Sequence, residues 1–375
     1  MNIAILGLGT IGSGVYELLK ANQDINVKRV LDIRAWMDIM TTDLSDITGD
    51  SDIDAVVETM GGLHPAYEYA LSCINSGKSF ITANKYLVSE YGRELAAAAK
   101  THHAAFLFSA ACGGGIPYLS NLAKARSTDK IKELGGILNG TTNYILDKMH
   151  TSGESYDAAL AEAQKLGYAE RDPSSDVDGL DTQRKLALAC GVGVGRFIKP
   201  ADIPTFGIRN ISRDDIMYAS KQNAVIRLAA YARFGADATE AFVIPRMFKQ
   251  GSAESSIRLN LNYAWYTGEQ TGIFAFSGQG AGRFPTAANI IRDLYAVKRG
   301  ETALYPEQLA QINVSTDEKY SFYIRLPFGK ETLPEAAIKE KLSASDSMRF
   351  ITEPMTVSQA SQIREAIPDS FIMLI

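Results

Sequence analysis

The chain has 375 residues, 46% hydrophobic and 22% charged, with a formal net charge of −5. That length suits two or three globular domains with sizeable cores, and the mild acidity with only scattered basic residues leaves no electrostatic footprint for nucleic acid or an anionic membrane. No run of eighteen apolar residues and no basic leader with a cleavage site occurs, so neither membrane insertion nor secretion is expected; Cys73, Cys112 and Cys190, in apolar settings without metal-ligand spacing, read as free thiols of a reducing, cytoplasmic compartment.

In chain order, Ile3 to Leu6 is a continuous apolar strand, Gly7-Leu8-Gly9-Thr10-Ile11-Gly12 follows at once, and Val15, Leu18 and Leu19 continue with helical spacing. Strand, glycine turn and helix form a dinucleotide-binding pattern. The first glycine permits the turn, the second lets a pyrophosphate approach the backbone, and the third lets helix pack on strand. Gly7, Gly9, Thr10, Ile11 and Gly12 are thus the candidate phosphate cradle. Asp32 closes the next apolar segment twenty residues after Gly12, where an acid accepts a ribose 2′-hydroxyl, while Arg34 is close enough to meet a 2′-phosphate. The cofactor is read as NAD or NADP.

Strands over Ala55 to Glu58, Phe80 to Thr82 and Ala105 to Phe108 alternate with helical stretches such as Glu90 to Lys100, which predicts a parallel, doubly wound sheet. Ligands of such sheets lie beyond the carboxyl ends of the strands, which singles out Thr59, Met60 and Gly61, then Asn84 and Lys85, then Cys112 to Gly115. Of these, Met60 and Lys85 are candidate cofactor contacts. His64, beside Pro65, reads as a helix-start residue with no second ligand for a metal.

From about Asp129 the pattern becomes α+β. Strands are expected over Ile131 to Leu138, Val243 to Met247, Ile257 to Trp265 and Ile273 to Ser277, and helices over Tyr156 to Leu166, Thr182 to Cys190 and Asp214 to Arg233. Tyr156, Ala159, Leu160 and Ala163 share one helical face, with Gly167 closing that helix. Between the first two helices, GYAERDPSSDVDGLDTQRK (Gly167 to Lys185) crowds five acids around a helix start expected near Asp178. Asp181 and Lys185 fall four apart on one helical face, and Pro173 stiffens a loop that can aim Glu170 at the same point. Such a cluster suits a small zwitterion.

A helix over Ile290 to Val297 returns to the first domain, and a polar linker from Lys298 to Pro306 leads to a tail with strands at Tyr320 to Leu326, Met348 to Ile351 and Phe371 to Ile375 and a helix at Ser358 to Ile367. The expected division is 1–128 for the nucleotide-binding domain, completed by 286–300, then 129–285 for a catalytic, substrate-binding and oligomerisation domain, and 306–375 for the tail.

Four segments carry a family resemblance: Phe108 to Pro117, ending in Cys-Gly-Gly-Gly-Ile-Pro; LNGTTNYIL over Leu138 to Leu146; the acidic run from Gly167; and GQGAGRFPT over Gly278 to Thr286. In this order behind the glycine fingerprint, the chain resembles the homoserine dehydrogenase family over roughly residues 1 to 300. The resemblance implies a Rossmann-type NAD(P)-binding domain joined to an α+β catalytic and dimerisation domain, and reversible NAD(P)H-dependent reduction of L-aspartate 4-semialdehyde to L-homoserine, in threonine, methionine and isoleucine biosynthesis. It assigns Lys185 as acid/base, Lys85 beside nicotinamide and carbonyl, Asp181 as the group orienting lysine and substrate, and Glu170 with Asp176 as the ammonium site. Thr141, Gly140 and Tyr168 match substrate-contacting positions, and Gly280 and Gly282 a loop that closes over the cofactor. A homodimer or homotetramer is implied as well. The tail is then either a reduced, ACT-like regulatory α+β segment or a packing appendage.

Two positions depart from the family. Ser109 stands where a glutamate helps carbonyls at Cys112, Gly114 and Ile116 bind a monovalent cation, sodium or potassium, and Gln279 replaces a proline of the late glycine loop. Those departures keep open a non-catalytic NAD(P)-binding sensor, and, since nothing in the sequence measures pocket size, a dehydrogenase of another small amino acid is a further reading.

Overall fold

Six parallel strands, β1 (Asn2–Leu6), β2 (Asn26–Leu31), β3 (Met40–Thr41), β4 (Ala55–Glu58), β5 (Ser79–Thr82) and β6 (Phe106–Leu107), form the first sheet in the order β3-β2-β1-β4-β5-β6 of a computed structural model. The structure describes residues 1–236, 239–315, 317–327, 329, 333–342 and 347–375. Strands β1 and β4 are almost wholly buried because helices cover both faces, which is why they read as unbroken apolar runs. The strand order reverses beside β1, and helix α1 (Thr10–Leu19) begins at that switch point. Helix α2 (Lys85–Thr101) starts earlier than the Glu90 expected, because Asn84 caps it by accepting Leu87 N–H at 3.1 Å.

The second sheet is mixed. It runs Gly272–Gln279, Leu261–Gly268, Ile131–Ile137, Ala224–Phe234, Thr239–Lys249, Phe371–Leu374, Phe322–Pro327, Ser347–Thr352 and Ile338–Leu342. Its helical side carries α3 (Gly140–Ser152), absent from the sequence reading, the Tyr156–Lys165 helix, and α4 (Leu180–Val194). Helix α5 (Arg283–Lys298) then returns to the first sheet beside α1, where Lys298 pairs with Asp24 and Asn22 donates to the Tyr295 hydroxyl at 3.0 Å.

Two expectations need correction. The helix expected over Asp214 to Arg233 ends at Lys221, after a Ser212–Asp215 capping box, and Ala224–Phe234 is a central strand buried on both faces. A long apolar run fits either period, and pairing with two neighbouring strands decides it. The strand expected from Ile257 begins only at Leu261. Helix α4 starts beside Asp178, as expected: Gly179, at φ +85°, occupies the cap, and Asp178 ends a short helix, Ser174–Val177. The tail packs on the second sheet: Phe371–Leu374 pairs with Thr239–Lys249 through Leu374 and Arg246, and Ile372 and Leu374 share a core with Phe206, Phe242 and Ile244. Positions 316, 328, 330–332 and 343–346 of the expected tail lie outside the described residues.

Candidate active site

A cleft of about 620 Å³ opens between the carboxyl edge of the first sheet and the start of α3 and α4. Its floor is set by helix starts. Asn139 caps α3 by accepting Thr142 N–H at 2.8 Å, and the same side chain donates Nδ2 to Asp176 at 2.7 Å and Asp181 at 2.8 Å. Asp181 lies in the first turn of α4 with Lys185 one turn on, and Lys85 is the first residue of α2 on the opposite wall.

These starts bring two lysines onto one carboxylate. Asp181 Oδ1 meets Lys85 Nζ at 2.9 Å and Oδ2 meets Lys185 Nζ at 2.8 Å. Burial works hardest against an ionised Asp181, yet the Lys185 and Lys85 charges and the hydrogen bonds from Lys185 and Asn139 outweigh it and hold the carboxyl well below its usual range. Asp181 in turn raises the Lys85 pKa, against burial. Lys185 also donates to the Leu138 carbonyl at 2.6 Å, so two of its three N–H groups are fixed by protein. The lysines differ in freedom: the Lys85 side chain is 40% exposed and that of Lys185 9%.

Of the five acids in the Gly167 to Lys185 run, three enter the cleft. Asp176 is pushed above the usual carboxylate range by burial and by the Asp181 charge. Glu170 is exposed at the rim, and its carboxylate has no partner among the described residues. Asp172 instead binds the Ser174 hydroxyl, and Asp178 makes a two-oxygen pair with Arg209, both serving local structure. Thr141 and Tyr168 line the cleft, the Thr141 hydroxyl donating to the Tyr168 carbonyl at 2.6 Å. Gly140 lines it too, but a Cβ there would sit 2.7 Å from the Asn260 carbonyl, so its small size serves backbone packing.

On the nucleotide side, a Cβ on Gly12 would lie 1.9 Å from the Gly7 carbonyl, so α1 packs as the fingerprint requires. Gly9 caps α1 without any side-chain hydrogen bond, leaving the helix start open to an anion beside the exposed Thr10 and the cleft-lining Ile11. Asp32 lies at the end of β2 and accepts Leu8 N–H at 2.7 Å on Oδ2, while Arg34 is exposed just beyond it. Met60 backs Gly7, its turn fixed by Glu58, which accepts Met60 N–H at 2.7 Å and Gly61 N–H at 3.0 Å. Gly280 and Gly282 line the cleft, Gly282 as the cap of α5, and Gln279 holds the loop by accepting Gly115 N–H at 3.1 Å. This open cradle, acid and glycine loop fit a dinucleotide.

The candidate cation ligands are engaged differently. The Asn289 side chain, on α5, donates Nδ2 to Gly114 O at 2.8 Å and Ile116 O at 3.2 Å. Ser109 N–H donates to Asp293 Oδ2 at 2.8 Å, and Cys112 is buried. No group of three or more His, Cys, Asp or Glu suited to a metal occurs among the described residues, and His64 pairs with Glu68. The sequence reading missed Asn139, whose signal was an Asn at a strand-to-helix junction, and Asn289, which had no local signal.

Two family models match, described as "Homoserine dehydrogenase, NAD binding domain" over residues 7–109 and "Homoserine dehydrogenase" over residues 117–295. A homoserine dehydrogenase of Synechocystis sp. is 40% identical over 313 residues, covering 78% of this chain and 72% of its own. One of Bacillus subtilis is 35% identical over 316 residues, covering 80% and 73%. Among solved structures, a homoserine dehydrogenase from Thiobacillus denitrificans superposes with a TM-score of 0.89 at 29% identity, covering 100% of this chain and 97% of that one.

Proposed function

The chain belongs to the homoserine dehydrogenase family and is an NAD(P)-dependent oxidoreductase acting on a CH–OH group, and from that premise we propose how its residues divide the interconversion of L-aspartate 4-semialdehyde and L-homoserine. When bound, the reduced nicotinamide supplies the hydride. The chain's part is to hold the substrate and move one proton. Lys185 gives its third N–H, the one not fixed by Leu138 and Asp181, to the substrate oxygen as alkoxide charge develops, and takes the proton back in the reverse direction. Lys85, held on the other oxygen of Asp181, adds a second cation beside that oxygen. Glu170 and Asp176 bind the substrate ammonium, which replaces the missing partner of Glu170 and offsets the cost of ionising Asp176.

The observation that carries this reading is the single buried carboxylate shared by two lysines that face one cleft. Steady-state oxidation of homoserine tests it. Lys185→Ala is expected to lower kcat much more than it weakens cofactor binding, and Lys85→Ala to lose less; equal losses in KM alone, with kcat intact, would remove both lysines from proton handling.

The proposed division into 1–128 with 286–300, 129–285 and 306–375 is supported by the packing of α5 beside α1. A homodimer or homotetramer is supported by the edge strand Gly272–Gln279, whose outer side pairs with no strand among the described residues and which leaves Ile273 65% exposed, and light scattering would decide it. Among the described residues no helix is long and apolar enough to cross a membrane. The three buried free cysteines favour the cytoplasm as the compartment.

A further inference from the structure

Asn289 is fully buried on α5, and one atom of its side chain, Nδ2, bridges the carbonyls of Gly114 and Ile116. Those two oxygens, with that of Cys112, are where the family resemblance places a monovalent cation. An amide NH2 offers two partly positive hydrogens, and each carbonyl here takes one such contact from protein. The acid ligand is gone as well: Ser109 is uncharged and buried, and the carboxylate beside it, Asp293, receives the Ser109 N–H on Oδ2. A cation here would have to displace the amide from both carbonyls; the oxygens left without a partner among the described residues, Ser109 Oγ and Asn289 Oδ1, are neutral, and the Asp293 carboxylate already receives the Ser109 N–H, whereas Nδ2 satisfies both carbonyls at once. The residues present therefore do not fit the ion. We propose that Asn289 is a built-in replacement for the cation, its amide tying the Cys112 to Pro117 loop to α5 so that the loop keeps its conformation without sodium or potassium.

The loop bears on the active site by contact. A Cβ on Gly114 would lie 2.3 Å from the Gly280 carbonyl, and Gly115 N–H donates to Gln279, so the loop supports the glycine loop over the cofactor. Asn289 is thus a positioning residue. The inference rests on this geometry and not on the roles given to Lys185 or Glu170, and its primary readout is folding, so either can fail alone.

The test uses the full chain exchanged into tetramethylammonium chloride and titrated with sodium or potassium chloride at constant ionic strength, with Tm and homoserine oxidation followed together. Both are expected to be the same in all three salts. A saturable rise in Tm with sodium or potassium alone would overturn the proposal, because a resident ion must stabilise the folded state by linkage and Asn289 would then be a ligand. Asn289→Ala is expected to lower Tm by roughly 2–8 °C, since two buried carbonyls lose their donor, and an unchanged Tm would equally overturn it. The pair Ser109→Glu with Asn289→Ala is expected to recover that loss in sodium or potassium and not in tetramethylammonium. A folded pair that stays indifferent to the salt would overturn the equivalence of amide and ion, and if the pair does not fold the wild-type salt series decides.

Discussion

Replacing Asp181 by Asn removes one charge from the point where two lysines meet. The wild-type carboxylate is 3% exposed and takes Lys85 at 2.9 Å on one oxygen, with Lys185 at 2.8 Å and the Asn139 amide at 2.8 Å on the other. An asparagine keeps the shape but offers one acceptor and presents an NH2 toward a lysine ammonium or toward Asn139. Lys85 can swing to water, being 40% exposed, whereas Lys185 at 9% is left buried with only the Leu138 carbonyl. Removing one partner of a buried ion pair costs about 3–5 kcal/mol, and relaxation of Lys85 places Asp181→Asn toward the lower figure, a fall in Tm on the order of 10 °C. Turnover should suffer separately: loss of the oriented proton donor is worth roughly 10²–10⁴ in kcat. Thermal unfolding and steady-state homoserine oxidation read the two effects. A variant that keeps the wild-type Tm and a kcat within about twofold of wild type would refute the argument that Asp181 organises the lysines.

Glu170→Gln is expected to raise the KM for homoserine by roughly 10- to 100-fold with cofactor Kd unchanged, since a charge-assisted contact is worth about 1.5–3 kcal/mol; a selective loss of cofactor binding would contradict the ammonium role. His150 accepts Ile226 N–H on Nε2 at 2.8 Å, and burial, reinforced by the Arg227 charge, lowers its pKa to about 4. The unfolded chain takes that proton near pH 6.5 and the folded one does not until about pH 4, so the contribution to stability is fully present above pH 6.5 and lost as pH falls through this window, by up to about 3 kcal/mol. The gap in urea midpoint between wild type and His150→Gln should therefore shrink from pH 7 to pH 4, and a constant gap would exclude the linkage.

Where the proposed site is contiguous in sequence, its residues can be picked out without the fold. Glu170, Asp176, Asp181 and Lys185 fall within one run because one loop, the short helix Ser174–Val177 and the first two turns of α4 deliver them. Composition could not separate them from Asp172 and Asp178, which differ only in lying beside Ser174 and Arg209. The first sheet was readable for a similar reason, since β1 and β4 are buried on both faces and Gly7 and Gly12 sit where close packing leaves no room for a side chain. The Ala224–Phe234 strand was not, because its apolar run becomes a strand only through neighbours far away in sequence. Asn289 was hidden in the same way: its role depends on carbonyls of Gly114 and Ile116, which the return of α5 brings to it.

The proton-transfer role proposed for Lys185 is tested most directly by a single turnover. Enzyme saturated with NAD or NADP is mixed with homoserine and the appearance of reduced nicotinamide followed, wild type against Lys185→Ala, which separates the chemical step from binding and release. The account predicts a rate constant lower by roughly 10²–10⁴ in Lys185→Ala at unchanged cofactor Kd. An undiminished rate constant in that variant would contradict it.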